Sequence, residues 1–111
     1  MKAGTADSTL FVYGSLLDAA HRAEVLGRTV AATPARIVGY ERRRGRHFYL
    51  LARAGAETEG LVLSGLEARD FEVLDRYEEV PQLYTRARVS VIGPGGALEC
   101  WVYLPSAAIL E

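Results

Sequence analysis

A glutamate is the residue of this chain that most needs a chemical explanation. Phe71 and Leu74 sit at i and i+3 of a helical pattern, and Glu78 follows at i+7 on the same stripe. If the helix holds that far, a carboxylate points where the apolar side chains point. A partly buried carboxylate without a cationic partner has a raised pKa, which suits a general base near neutral pH. If the helix frays earlier, Glu78 lies in solvent beside Glu79 and opposite Arg76. Glu72 and Asp75 fall on other faces and are expected to be solvated. The second candidate is Tyr13-Gly14-Ser15-Leu16, where a short apolar strand ends and feeds a helix. Exposed backbone N–H groups at such a turn can hold a carboxylate or a carbonyl oxygen, and Gly14 permits close approach of a ligand. The alternative is an ordinary strand-to-helix turn.

Other chemistry-bearing residues have simpler readings. Cys100 and His47 are the types of a nucleophile and its base. However, Leu98, Cys100 and Val102 share one face of a strand, so the thiol is expected in the core. His47 is expected at a solvated edge. Glu99, Trp101 and Tyr103 share the opposite face and either line a pocket or cover a core. Tyr84, Arg86 and Arg88 share a face of the preceding strand; Arg86 or Arg88 could bind an anion, and a solvated face is the simpler expectation. Arg42, Arg43, Arg44 and Arg46 could meet RNA, an acidic partner or an anionic substrate. A solvated loop explains the cluster as well. The chain has no Walker loop, no GxGxxG after a strand, no HExxH and no GxSxG.

Composition sets the frame. At 111 residues the chain is expected to form one domain over residues 10–111 behind a flexible tail of residues 1–9. A chain of this size hides roughly two thirds of its unfolded surface, enough for a working core. Thirteen basic residues against 14 acidic ones leave a net charge of -1, without the basic excess of a general nucleic-acid binder. The single cysteine forbids an internal disulfide, and one Cys with His21 and His47 falls short of a structural zinc site. No apolar run approaches a membrane span, and the N-terminus is unlike a signal peptide. The expected protein is cytoplasmic, without metal, cofactor, nucleic-acid or membrane partner.

The elements that must position the candidates follow from pattern and punctuation. Leu10 to Tyr13 predicts a buried strand. Asp18 can cap a helix from Ala19 to Leu26, with Gly27 as its stop. Strands are expected at Thr29–Ala32, ending before Pro34, and at Ala35–Glu41, Arg46–Ala52 and Glu59–Leu63. Ser64 with Glu67 fits a capping box, opening a helix that runs to about Tyr77; Pro81 stops anything beyond. Tyr84–Ile92 and Ala97–Leu104 alternate around Gly93-Pro94-Gly95-Gly96, a hairpin signal. The order predicts an α+β fold or small mixed β-barrel with flanking helices, at least partly antiparallel.

Taken together, the two motifs resemble a known family. Phe11-Val12-Tyr13-Gly14-Ser15-Leu16 resembles the YGSL or YGTL loop of γ-glutamylcyclotransferase-like proteins. Leu74-Asp75-Arg76-Tyr77-Glu78 resembles the Leu-Asp-x-x-Glu helix end that carries that family's catalytic glutamate. Gly60 at a Glu-Gly-hydrophobic strand start, Tyr84 followed by Arg86, and Tyr103 in the last strand also fit. The resemblance spans Leu10 to Leu104 and implies a small mixed β-barrel. It implies a cyclotransferase of carbon–nitrogen lyase or acyltransferase type, needing no cofactor. The α-amine of a small γ-glutamyl compound would attack its own γ-carbonyl, releasing 5-oxoproline and an amine or amino acid. By the same resemblance Glu78 would be the general acid/base. Gly14, Ser15 and Leu16 would hold the γ-glutamyl group, and Tyr13, Tyr84 and Tyr103 would line its cavity. The length matches the short, γ-glutamylamine cyclotransferase-like members. One position departs: Glu79 stands where the family commonly has glycine. If that glycine needs a positive φ, Glu79 is strained or the loop is rebuilt. A non-catalytic binding module on the same fold is therefore the alternative expectation, with an interaction protein using Arg42 to Arg46 as a third.

Overall fold

The computed structural model describes residues 6–110. Five strands close into a barrel: β1 (Leu10–Val12), β2 (Ala31–Arg44), β3 (Phe48–Ser64), β4 (Tyr84–Gly93) and β5 (Gly96–Pro105). Around it lie α1 (Ala19–Leu26), α2 (Ala68–Tyr77) and a short α3 (Ala107–Leu110). The barrel order is β1-β3-β2-β4-β5. β1 runs antiparallel to β3 and parallel to β5, so the sheet is mixed. Every other pairing is antiparallel. No helix among the described residues is long and apolar enough to cross a membrane.

Alternation along the strands divides the core in two. Phe11, Ile37, Leu50, Val62, Val91, Cys100 and Val102 come from all five strands and fill the barrel interior. Leu10, Val12 and Leu63 point the other way and meet Leu26 of α1 and Phe71 and Leu74 of α2. Leu74 is fully buried there. Truncating such a leucine costs ~2–5 kcal/mol, so the seat of α2 on the barrel is firmly determined.

Local punctuation explains the helices. Asp18 accepts the His21 N–H at 2.8 Å and starts α1, while Gly27 ends it at φ 76°. The cap of α2 is not Ser64. Ser64 belongs to β3, where it pairs with Ala31, and Gly65 turns the chain at φ 72°. Glu67 is the N-cap instead, and its N–H donates to buried Asp70 at 2.8 Å. The two strands expected on either side of Pro34 are one, and so are the two expected between Arg46 and Leu63. β2 continues through Pro34, which stands opposite Leu61 of β3, while β2 registers with β4 only at Arg36 and Ile92. The long β2–β3 hairpin bends at Gly39, φ 91°, where the register shifts. The Gly93–Gly96 turn joins β4 and β5 as the sequence suggests.

Residues 6–9 are not a loose tail. Ala6–Ser8 form a 3-10 turn, Ser8 O accepts from the Leu66 N–H, and Thr9 O accepts from the Trp101 N–H. The first five residues of the expected tail lie outside the described residues.

Gly60 permits the closure. A Cβ there would lie 2.2 Å from Val12 O and 2.8 Å from the Phe11 ring. Backbone cannot yield as a side chain tip can. Gly60→Ala is therefore expected to cost ~3 kcal/mol or more, read as a fall of about 10 °C or more in Tm.

Candidate functional site

The chain leaves the barrel at Val12 and enters a tight turn at the mouth of a cavity of about 380 Å³. That volume falls within the range of small-ligand sites. Glu78, Tyr13, Gly14, Ser15, Leu16, Tyr84 and Tyr103 all line it. Tyr13 and Glu78, 65 positions apart in sequence, are thus brought to one place, because β1 and the end of α2 both stand at this end of the barrel.

On one side is the turn. The Leu17 N–H donates to Gly14 O at 3.0 Å and the Asp18 N–H to Ser15 O at 3.3 Å, closing a 3-10 turn over Ser15–Leu17. Gly14 is packed closely: a Cβ would stand 3.2 Å from Phe48 Cβ. Arg42 Nη1 donates to Tyr13 O at 2.9 Å, and buried Arg22 donates to the carbonyls of Leu16 and Leu17 at 3.0 and 3.3 Å. The turn is held from both flanks by arginines.

On the other side is the end of α2. The Glu78 N–H donates to Leu74 O at 2.8 Å, so the helical ladder holds through Glu78 and its side chain enters the cavity. Glu79 then adopts φ 55°. Its N–H donates to Arg76 O and the Val80 N–H to Asp75 O, at 3.1 and 2.9 Å. This pair of bonds is a Schellman closure, with Glu79 at the left-handed position that glycine fills best.

Electrostatics follow from this placement. Burial pushes the Glu78 carboxyl up to about 7, from an ordinary value of 4.5. The negative end of the helix macrodipole acts in the same direction. Among the described residues no ion pair or hydrogen bond holds this carboxylate. The tyrosines stay protonated. Burial and then the neighbouring Glu78 and Tyr77 push Tyr84 up to about 12, and burial raises Tyr13 and Tyr103 further. Their hydroxyls are committed to the scaffold: Tyr13 donates to Tyr103 O at 2.6 Å, Tyr84 to Phe48 O, and Tyr103 to Asp75 Oδ1 at 2.7 Å. They therefore present ring surface to the cavity.

Several expectations need correction. Asp75 is not simply solvated; it takes the Tyr103 hydroxyl and pairs with Arg86 at 3.4 Å. Arg86 is not on a solvated face either, since its guanidinium lies between the Phe71 and Trp101 rings at 4.7 and 4.6 Å. Neither Arg86 nor Arg88 lines this cavity. The Arg42–Arg46 cluster is exposed, as a solvated reading expects, but Arg42–Arg44 end strand β2 rather than forming a loop; Arg42 and Arg44 stack on Phe48, and Arg46 lines the cavity. His47 is exposed yet also lines it, whereas Cys100 does not. Cys100 is fully buried in the barrel interior and its thiol is pushed up to about 11, so the nucleophile–base pair is not assembled. The sequence offers Tyr77 only as a helix end and His21 only as an insufficient zinc ligand, with no role at this site for either. Tyr77 lines the cavity beside Glu78 and bonds both Ser15 Oγ and His21 Nε2.

With this geometry in hand, comparison is informative. The model of the family "Gamma-glutamyl cyclotransferase, AIG2-like" matches residues 10–109, and the chain belongs to that family. No curated protein matches it. Among solved structures, an Arabidopsis thaliana protein studied in solution is 25% identical over 91% of this chain and 70% of its own, with TM-score 0.81. A chain described as gamma-glutamyl cyclotransferase is 19% identical over 89% of this chain and 66% of its own, with TM-score 0.76. An AIG2-like protein from Mus musculus is 22% identical over 91% and 78%, with TM-score 0.73. The chain thus spans about two thirds to three quarters of these relatives, and the likeness is one of fold.

Two stability predictions follow. Because the folded pKa of Glu78 is raised, its contribution is fully present below 4.5 and lost as pH rises through about 7. The stability of Glu78→Gln relative to the parent chain should therefore grow between about pH 5 and about pH 8, by up to ~3 kcal/mol in denaturant titrations. Glu79→Gly should relieve the left-handed strain and raise stability by about 1 kcal/mol, seen as a Tm higher by about 4–8 °C.

Proposed function

We propose that this chain is a γ-glutamyl cyclotransferase acting on a small γ-glutamyl compound, with Glu78 as general acid/base. The observation that carries the reading is a half-buried carboxylate, without an ion pair among the described residues, that lines one cavity with the Gly14–Leu16 turn and that burial pushes up to about 7. The family assignment supports the reaction class.

The chemistry needs little beyond this. The substrate's α-ammonium must lose a proton before its nitrogen can attack. Glu78, with a pKa matched to the operating pH, takes that proton. The nitrogen adds to the γ-carbonyl carbon and closes a five-membered ring. The bond from that carbon to the leaving nitrogen breaks as the proton held by Glu78 passes to it; the second proton, shed by the ring nitrogen as it becomes the lactam N–H, follows through Glu78 to the same amine, which departs as an ammonium. The products are 5-oxoproline and a free amine or amino acid, with atoms and charge balanced. The Gly14–Leu16 backbone holds the γ-glutamyl group, and the rings of Tyr13, Tyr84 and Tyr103 bound it. Enclosure favours the compact conformer that brings nitrogen and carbonyl together.

The second reading is a binding module that forms no product. Glu79 motivates it: the residue is strained, adds a second carboxylate to the cavity lining and stands beside the proposed base. This reading expects heat of binding without product.

The decisive measurement is 5-oxoproline release from a panel of γ-glutamyl amines and dipeptides. Release by the parent chain is expected, with Glu78→Gln slower by ~10²–10⁴-fold. The parent kcat/KM should rise with pH through about 7 as Glu78 ionises. Full turnover by Glu78→Gln would exclude Glu78 as the base, and binding without release across the panel would favour the second reading.

A further inference from the structure

A chain of hydrogen bonds runs along the rim of the cavity and has no place in the proton transfers above. Ser15 Oγ and the Tyr77 hydroxyl lie 2.7 Å apart, and the Tyr77 hydroxyl lies 2.6 Å from His21 Nε2. The His21 and Tyr77 rings are also in contact, with centroids 5.6 Å apart. His21 is itself fixed, because Asp18 takes its backbone N–H at 2.8 Å at the start of α1. Ser15 belongs to the turn that faces Glu78, and Tyr77 directly precedes Glu78 on α2. The Ser15–Tyr77 bond therefore ties the two sides of the cavity to each other, and His21 of α1 holds the Tyr77 hydroxyl in place.

We propose that His21 is a positioning residue which, through Tyr77, holds the Ser15 hydroxyl and the Gly14–Leu17 turn at a set distance from Glu78. Its effect on substrate rests on the cyclotransferase reading; the clamp itself does not. A side chain at this point has an advantage over backbone contacts alone. The turn is only three residues long, and its own two hydrogen bonds, at 3.0 and 3.3 Å, do not relate it to α2. Arg22 holds the Leu16 and Leu17 carbonyls from α1, but it does not reach Tyr77. The His21–Tyr77–Ser15 path supplies that missing constraint. Because the turn would hold the γ-glutamyl group equally in ground and transition states, loosening it should act on KM rather than on kcat.

The variants are His21→Ala, Tyr77→Phe and His21→Gln. Glutamine can place an amide near the position of Nε2 and serve Tyr77 as donor or acceptor. Two measurements are made on the full chain. Amide hydrogen exchange of Leu17 and Asp18 should speed up about tenfold in His21→Ala and Tyr77→Phe, the amount one lost hydrogen bond allows. The barrel amides of Val62 and Val102 should keep their protection, which separates loosening from unfolding. In 5-oxoproline release, the same two variants should raise KM about tenfold with kcat within about twofold. His21→Gln should restore both readouts. Unchanged exchange at Leu17 and Asp18 would overturn the clamp, as would a His21→Gln variant as impaired as His21→Ala. Unchanged KM alongside faster exchange would overturn the positioning role. Absence of release from the parent chain would instead remove the cyclotransferase reading, and the exchange rates would then decide the clamp alone.

Discussion

Everything at the open end of this molecule depends on how β1 closes the barrel. The strand has three residues, yet it bridges β3 and β5. All three are buried, with Phe11 turned into the barrel and Leu10 and Val12 turned to the helices. So short a strand has few ladder bonds, and side-chain burial must supply most of its hold. It also needs the backbone of β3 at closer range than any Cβ would allow, which is why Gly60 sits opposite. The chain then has nowhere to go but the rim, and that closure delivers the turn after Val12 to the cavity mouth.

The end of α2 meets the rim under a different constraint. Leu74 anchors the helix from below and fixes its rotation, so the last ladder bond places Glu78 over the cavity. Ending a helix there requires one residue in the left-handed region, and Glu79 takes it despite its Cβ. The bonds that end the helix thus fix the backbone beside Glu78, whose side chain lines the cavity. Position and protonation equilibrium have a common origin: the place that aims Glu78 also deprives it of solvent and of a cation. The three tyrosines reinforce this. Their hydroxyls are spent on carbonyls and on Asp75, so the cavity wall beside the carboxylate is largely apolar ring.

Much of this was legible in the sequence, for identifiable reasons. The Phe71, Leu74, Glu78 stripe was readable because helical period survives in any context. Asp18 and Gly27 bounded α1 correctly because each acts on its own neighbours. Pro34 misled because proline reads as a break, whereas β2 runs through it opposite Leu61 of β3. Ser64 misled because a capping box can be written twice, three residues apart; the strand claimed Ser64 and left Glu67 and Asp70 to start the helix. Arg86 read as solvated because its two aromatic faces come from different elements. The bond between His21 and Tyr77 spans 56 positions, and no local rule could join them.

The lone thiol has a consequence of its own. Cys100 is sealed inside the barrel and held well above neutral pH, so it is both unreachable and unionised while the barrel is closed. Oxidants and alkylating reagents have no other cysteine to find. The folded chain is therefore blind, at cysteine, to the redox state of its surroundings. Conversely, any modification of that sulfur records an opening event, which makes the alkylation rate of Cys100 a clock for how often the five strands part.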